Sequence, residues 1–299
     1  MIGFADPIDL TYIIFTTWLT GCVLLLVLTI LPVTRSKLNG VWPLMLSEAG
    51  ILFAGTVPWL LPLPFLGAAL TVAASRIGYE SGTILGSPSH PRAGAVGASL
   101  LICLVLFAWF VNYMADSVVL GAWLAVLIAV AVLAMVQSAK DWLWRFLIFP
   151  ALPFVLFVNA AWWPEMASIF ILSLFIVEIF DSFALLGGRL LGKRPLVPKL
   201  SPRKTWEGLA VGLIAVVLAT CAVTFSLEID ALTVAAIAGA STVGAIIGDL
   251  TASAAKRRAR VKDYPAVIAS QGGLLDIYDS WIVAGPLSVG TVMLLNYFA

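Results

Sequence analysis

Apolar residues in this chain come in runs of about twenty, separated by short polar stretches. A helix needs about 20 mostly apolar residues to cross the hydrocarbon core, and irregular backbone cannot satisfy its polar groups there. The pattern therefore predicts an all-α fold, a polytopic transmembrane helical bundle of roughly nine spans. They are expected near 11–33, 49–74, 94–114, 118–136, 145–163, 166–188, 208–226, 232–252 and 279–298. The second window contains Pro58, Pro62 and Pro64, which remove helix hydrogen bonds, so it is expected to kink or to form a helix pair that only dips into the membrane. Asp6 and Asp9 precede the first run without a basic segment or a small-residue cleavage site, which predicts a retained first helix instead of a removed signal. No soluble domain or internal repeat stands out, and 1–299 reads as one integral membrane domain.

Composition agrees with lipid as the main solvent. Hydrophobic residues make up 62% and charged residues 11%, with a mean hydropathy of +1.06. A soluble domain is about half apolar and a quarter charged. Cys22, Cys103 and Cys221 each lie inside an apolar run, where cysteine acts as a small buried hydrophobe and implies no disulfide or metal framework. The net charge of +1 hides a strong segregation. With the N-terminus inside, Arg76, Arg92, Lys140, Arg145, the six basic residues from Arg189 to Lys204 and the five from Lys256 to Lys262 all face the cytoplasm, leaving Arg35 and Lys37 outside. The positive-inside rule then predicts an external C-terminus and puts the long polar loops, 189–207 and 253–278, on the cytoplasmic face; the expected location is a bacterial inner membrane. The short external connections carry Asp116, Glu165, Glu228 and Asp230. Nucleic acid is not an expected partner.

Charge is scarce, so its clustering is the signal. A first cluster runs from Glu178 and Asp181 through Gly187-Gly188-Arg189 and Gly192-Lys193-Arg194 to the stretch Pro198–Gly208, which contains Lys199, Ser201, Arg203, Lys204, Thr205 and Glu207. For the basic residues, a positive-inside loop with a Ser-Pro turn and a Glu207 cap is an adequate account. Asp181 is harder to set aside: an acid about two turns inside a span costs several kcal/mol unless paired or wet, which makes it a functional candidate. Glu178, three residues earlier, shares its helix face.

A second cluster opens at Gly248-Asp249. If that helix continues, Asp249, Ser253 and Lys256 or Arg257 fall on one face by i, i+4 and i+7 or i+8 spacing. The chain then passes Lys262-Asp263 and reaches Gln271-Gly272-Gly273, with Asp276 and Asp279 one turn apart at the next membrane entry. Two glycines let backbone N–H groups approach a phosphate, although a lone Gly-Gly more often marks a turn. Carboxylates with a hydroxyl suit Mg²⁺ bridged to substrate phosphates, and lysine and arginine suit the phosphate oxygens. Nucleotidyl transfer to a phosphate has an anionic nucleophile and requires no strong base, in keeping with a chain whose only histidine, His90, reads as an ordinary residue of another loop.

These residues resemble the signature of the phosphatidate cytidylyltransferases, the CDP-diacylglycerol synthases. Ser253, Lys256-Arg257, Lys262-Asp263, Gly272-Gly273, Asp276 and Asp279 match that pattern with its spacing intact, and the 192–208 stretch is similar to the family's second hallmark. Asp181 stands where the family carries an acid. The resemblance implies CTP and a lipid phosphate, phosphatidic acid first, as substrates, with CDP-diacylglycerol and pyrophosphate as products. It implies Asp249 and Asp276 as ligands of Mg²⁺, assisted by a monovalent cation such as K⁺. Carried over, it makes Asp249, Asp276, Lys256, Lys262 and Asp263 the catalytic set. Asp181, Ser201, Lys204, Thr205, Glu207, Ser253, Arg257, Gln271, Gly272, Gly273 and Asp279 become the substrate-binding set. The catalytic helices and loops then occupy 166–299, and 1–165 forms a lipid-facing, dimer or cavity wall.

Two departures matter. Gln271 replaces a histidine, and Ile277 replaces an arginine whose charge-assisted phosphate contact is worth about 1.5–3 kcal/mol. Arg258 and Arg260, extra to the pattern, are candidates to supply it, while Pro265 and Ala269 alter the loop between. A different lipid phosphate, such as an isoprenoid phosphate, and a non-catalytic relative or transporter stay open as readings. Small residues such as Gly239, Ala240, Gly244 and Gly248 suit close helix packing within one chain or in a homodimer.

Overall fold

The computed structural model describes residues 6–30, 38, 41–86, 92–115, 141–269 and 271–298. Its helices are α1 (Pro7–Ile30), α2 (Trp42–Thr56), α3 (Leu63–Leu85), α4 (Ala93–Ala115), α5 (Asp141–Phe146), α6 (Leu152–Ala161), α7 (Ala167–Leu191), α8 (Trp206–Leu227), α9 (Ala231–Arg258), α10 (Leu274–Tyr278) and α11 (Trp281–Phe298). One antiparallel hairpin, β1 (Pro195–Val197) with β2 (Ser201–Thr205), lies between α7 and α8.

Local chemistry sets the ends of these elements. Asp6 Oδ1 accepts the Ile8 N–H ahead of Pro7, an N-cap followed by a proline whose missing N–H costs nothing in the first turn. Asp230 caps α9, taking the N–H and the hydroxyl of Thr233 on one oxygen; these bonds hold its carboxyl below the usual carboxylate range. Glu228 closes α8 in the left-handed conformation, with φ of 51°.

Among the described residues, seven helical segments are long and apolar enough to cross a membrane, as befits an integral membrane protein. Seven of the nine expected windows fall on them. The window at 118–136 lies outside the described residues, as do Asp116, Lys140, Arg35, Lys37 and His90. The window at 49–74 is not one span. A 3-10 turn at Val57–Leu60 ends α2, and α3 begins after Pro62 and runs to Leu85, well past the expected end. The prolines account for the break, since each lacks the N–H that would continue the helix. Another kink interrupts the helical run from Trp142 at Phe149, where φ and ψ leave the helical region ahead of Pro150.

The chain forms two compact units. One comprises 1–60, 168–243 and 287–299; the other comprises 61–167 and 244–286. In the first, Ser173, Ser241 and Ser288 join their hydroxyls at 2.9–3.5 Å, which satisfies three polar groups that hydrocarbon would leave stranded. Trp59 stacks on Phe170 at 4.5 Å in the same unit. In the second, Asn112 and Asn159 pair their amides at 3.2 Å, and Phe157 meets Trp281 edge-on. Gly244 and Gly248 of α9 press against the backbone of Ala284 and Asp279, so these two small residues pack within the chain, whereas Gly239 has open space around it. Large apolar side chains such as Leu218 and Phe225 of α8 remain outward, as lipid-facing residues do.

Candidate active site

The end of α9 and the loop that follows it carry the richest polar constellation of the second unit. Asp249, Ser253 and Lys256 do share one face of α9, Asp249 half-buried and the other two buried. Lys256 Nζ donates to Asp276 Oδ1 at 2.6 Å and stands 5.4 Å over the ring of Tyr264. Both members of this ion pair are shielded, with side chains 11% and 6% exposed. Gly248, one residue before Asp249, abuts the Asp279 carbonyl, and Ser280 Oγ donates to the Ala245 carbonyl. The chain bearing Asp276 and Asp279 is thereby laid along the face that bears Asp249, Ser253 and Lys256.

Asp276 organises the loop. Its Oδ2 accepts the N–H of Tyr264 at 2.7 Å and that of Gly273 at 2.9 Å, the second being the cap of α10. Gly272 has φ of +97°, where an L side chain is strained, and a Cβ there would meet Asp276 Oδ2 at 2.5 Å. Gly273 is needed for another reason, since its Cβ would meet Glu80 Oε2 at 2.6 Å. The Gly272 N–H donates to the Ile268 carbonyl, so both glycine N–H groups serve the loop itself in this structure. Burial, and then the negative charges of Asp279, Asp276 and Glu80, raise the Tyr264 phenol above its ordinary value, which keeps it neutral.

Two residues of α3 hold the loop from outside. Glu80 is fully buried; it takes the Leu274 N–H on Oε1 and the Leu275 N–H on Oε2, each at 2.8 Å, and pairs with Arg76 Nε at 2.6 Å. Arg76 Nη2 in turn donates to the Pro265 carbonyl at 2.6 Å. Although the helix runs on to Leu85, Glu80 lies beyond the apolar window that ends at 74, so hydropathy does not mark it. Its signal was an acid four residues after Arg76, the spacing of a helical ion pair.

The other expected residues of this unit range from exposed to buried. Arg257 is exposed and donates to the Val261 carbonyl at 3.1 Å. Lys262 and Asp263 face one another at 3.6 Å with side chains 69% and 56% exposed. The Gln271 side chain is half-buried, and Asp279 is buried.

Asp181, Ser201, Lys204, Thr205 and Glu207 belong to the first unit. Ser201 and Lys204 lie on β2, half-buried. Thr205 is the N-cap of α8, its hydroxyl accepting the Gly208 N–H at 3.1 Å. Glu207 is not that cap: Oε2 takes the N–H groups of Lys193 and Arg194, and Oε1 takes Arg194 Nε, which ties the approach to the hairpin onto α8. Glu178 lines a cavity of about 150 Å³ whose wall includes Trp18, Met45, Glu48 and Ser182. Glu48 is a second acid on this wall, and hydropathy does not mark it.

Chemically, the α9 face and loop offer carboxylates, a hydroxyl and an ammonium with two further N–H donors beyond the one given to Asp276. Among the described residues, no three His, Cys, Asp or Glu side chains gather as a closed metal cage. Oxygen donors from one or two carboxylates instead suit a hard cation that brings phosphate ligands with it.

Known proteins resemble this chain over part of its length. The chain is 41% identical over 116 residues to phosphatidate cytidylyltransferase 5, chloroplastic, of Arabidopsis thaliana, covering 38% of this chain and 29% of that one. It is 46% identical over 112 residues to the phosphatidate cytidylyltransferase of Haemophilus influenzae, covering 36% and 39%. With the phosphatidate cytidylyltransferase of Rickettsia bellii it shares 31% identity over 176 residues, 55% of this chain and 76% of the relative. The matches thus span about a third of the first two relatives' length and three quarters of the third's. Since the pattern of the cytidylyltransferase family matches residues 44–295, a stretch that includes both polar clusters, the chain belongs to that family.

Proposed function

We propose that this protein transfers the cytidylyl group of CTP to a membrane lipid phosphate, phosphatidic acid, releasing pyrophosphate and CDP-diacylglycerol. The observation that carries this reading is the shielded Lys256–Asp276 pair, set in the Gly-Gly loop beside the Asp249–Ser253 face of α9. An oxygen of the lipid phosphate attacks the α-phosphorus of CTP, the bond to the bridging oxygen of the β-phosphate breaks, and pyrophosphate leaves with the electron pair. The nucleophile is already anionic, so the protein's task is alignment and neutralisation of charge. Lys256 is placed to turn its remaining N–H donors to phosphate oxygens, while Arg257 and Lys262 extend the positive charge outward. Asp249 and Asp276 would hold Mg²⁺, which supplies charge neutralisation on the CTP phosphates; a monovalent cation completes the expected ion requirement. The neutral Tyr264 is no base and serves as an apolar wall under Lys256. On this reading the chemistry takes place at the cytoplasmic edge of a bacterial inner membrane, in a bundle of roughly nine spans, and the positive-inside balance supports that face.

The test supplies detergent-purified protein with CTP labelled at the α-phosphate, millimolar Mg²⁺ and either phosphatidic acid or an isoprenyl phosphate. Labelled CDP-diacylglycerol and an equal amount of unlabelled pyrophosphate are expected, stopped by EDTA and lost in Asp249→Asn and Asp276→Asn. Turnover on the isoprenyl phosphate alone would reassign the acceptor, and turnover on neither would overturn the reading.

A further inference from the structure

We infer that Glu80, acting with Arg76, is a positioning residue for the reaction: from α3 it fixes the two backbone N–H groups that aim the Asp276 carboxylate. The inference rests on the cytidylyl-transfer reading above and adds to it a residue outside the signature. Asp276 Oδ2 is held by the N–H groups of Tyr264 and Gly273. Each is one residue from an attachment to α3, since Arg76 binds the Pro265 carbonyl and Glu80 binds the Leu274 N–H. The Arg76–Glu80 pair bridges the two attachments. The chain is therefore pinned to one helix at Pro265 and again at Leu274 and Leu275, and each N–H group that holds Asp276 is next to a pin.

The splint itself is anchored. Gly78 and Gly82 of α3 press directly on the backbone of α4 at Gly97 and Ala93, so α3 has little freedom to move with the loop. Burying a carboxylate completely is costly unless it is paired and hydrogen-bonded, and apolar packing would tie a loop to a helix at less cost. What an apolar contact lacks is direction. Two N–H···O⁻ bonds at 2.8 Å fix the orientation of consecutive peptide planes, and a misplacement of about 1 Å at a reacting centre costs on the order of 100-fold in rate.

The experiment compares wild type with Glu80→Gln, Arg76→Lys and Asn159→Leu. The last breaks the buried amide pair of the same unit away from the loop and serves as the structural control. Two readouts are used: kcat, KM for CTP and the Mg²⁺ concentration for half-activation, and amide exchange of the 264–278 segment. Glu80→Gln keeps the shape but turns an amide NH2, itself a donor, toward a backbone N–H. It is expected to lower kcat/KM by about 10- to 100-fold, raise the Mg²⁺ requirement and speed exchange of the segment, with Arg76→Lys milder in the same direction. Asn159→Leu is expected to lower Tm and leave the Mg²⁺ requirement and the exchange as they are. Glu80→Gln or Arg76→Lys protein that moves only Tm would overturn the inference, as would a control that reproduces the full pattern. Should Glu80→Gln fail to fold, Arg76→Lys decides. If wild type makes no CDP-lipid, the functional reading falls, and the exchange comparison still decides whether Glu80 positions the loop.

Discussion

The two polar clusters of this protein are built on opposite principles. In the hairpin region, Thr205 and Glu207 bond backbone groups 3 to 14 residues away, and the Arg194 side chain of the ion pair is 82% exposed. In the Gly-Gly loop, the central ion pair is shielded on both sides, and Glu80 reaches backbone 194 and 195 residues along the chain. The first is a local structure whose charges keep their water. The second is a tertiary structure whose charges have lost it, so removing one partner leaves the other stranded.

The largest expected effect follows from that difference. Lys256→Met deletes the ammonium and leaves Asp276 shielded without its cation, at a cost of about 3–5 kcal/mol. A fall in Tm of about 10 °C is expected in a thermal melt, together with loss of CDP-lipid formation. An unchanged Tm would mean that the pair is solvated and that the two clusters differ less than the geometry shows. Gly272→Ala comes next. Its φ of +97° and the crowding against Asp276 predict a cost of about 1–3 kcal/mol and a loss of turnover that exceeds the loss of stability, measured as kcat against Tm.

The same contrast explains what could be read in advance. Hydropathy marks spans because hydrocarbon imposes its demand on every residue of a window, and helical spacing placed Asp249, Ser253 and Lys256 on one face because that rule is local. The Gly-Gly loop was legible as a turn with a neighbouring acid, but not as a cradle closed by the N–H groups of Tyr264 and Gly273. Glu80 escaped because Arg76 and Glu80 lower the apolarity of α3, so the window closed eleven residues before the helix ends at Leu85. Apart from Arg76, the groups it binds lie nearly two hundred residues away, and spacing along the chain carries no trace of them. Glu48, beside Glu178 in the cavity wall, escaped for the same reason. Thr205 was expected to touch phosphate and is seen to cap α8, a role that Thr205→Ala should expose at about 1 kcal/mol, recovered by Thr205→Ser. Activity that falls further than the melt accounts for would give Thr205 a substrate contact as well.

The smallest effect is expected at Arg194. Its guanidinium meets Glu207 at 3.2 Å, yet an exposed arginine gains little from an ion pair, because water and salt screen the attraction and the long side chain loses rotamer freedom. Arg194→Ala also leaves intact the two N–H bonds that residues 193 and 194 give to Glu207 Oε2, since these come from the backbone. Tm and kcat/KM should both stay at wild-type values, and raising NaCl from about 0.1 to 1 M should move variant and wild type alike. If Arg194→Ala instead destabilised the protein as much as Thr205→Ala, and salt reproduced that loss in wild type, the hairpin would be held by charge. The line between a solvated local cluster and a shielded tertiary one would then have to be redrawn around it.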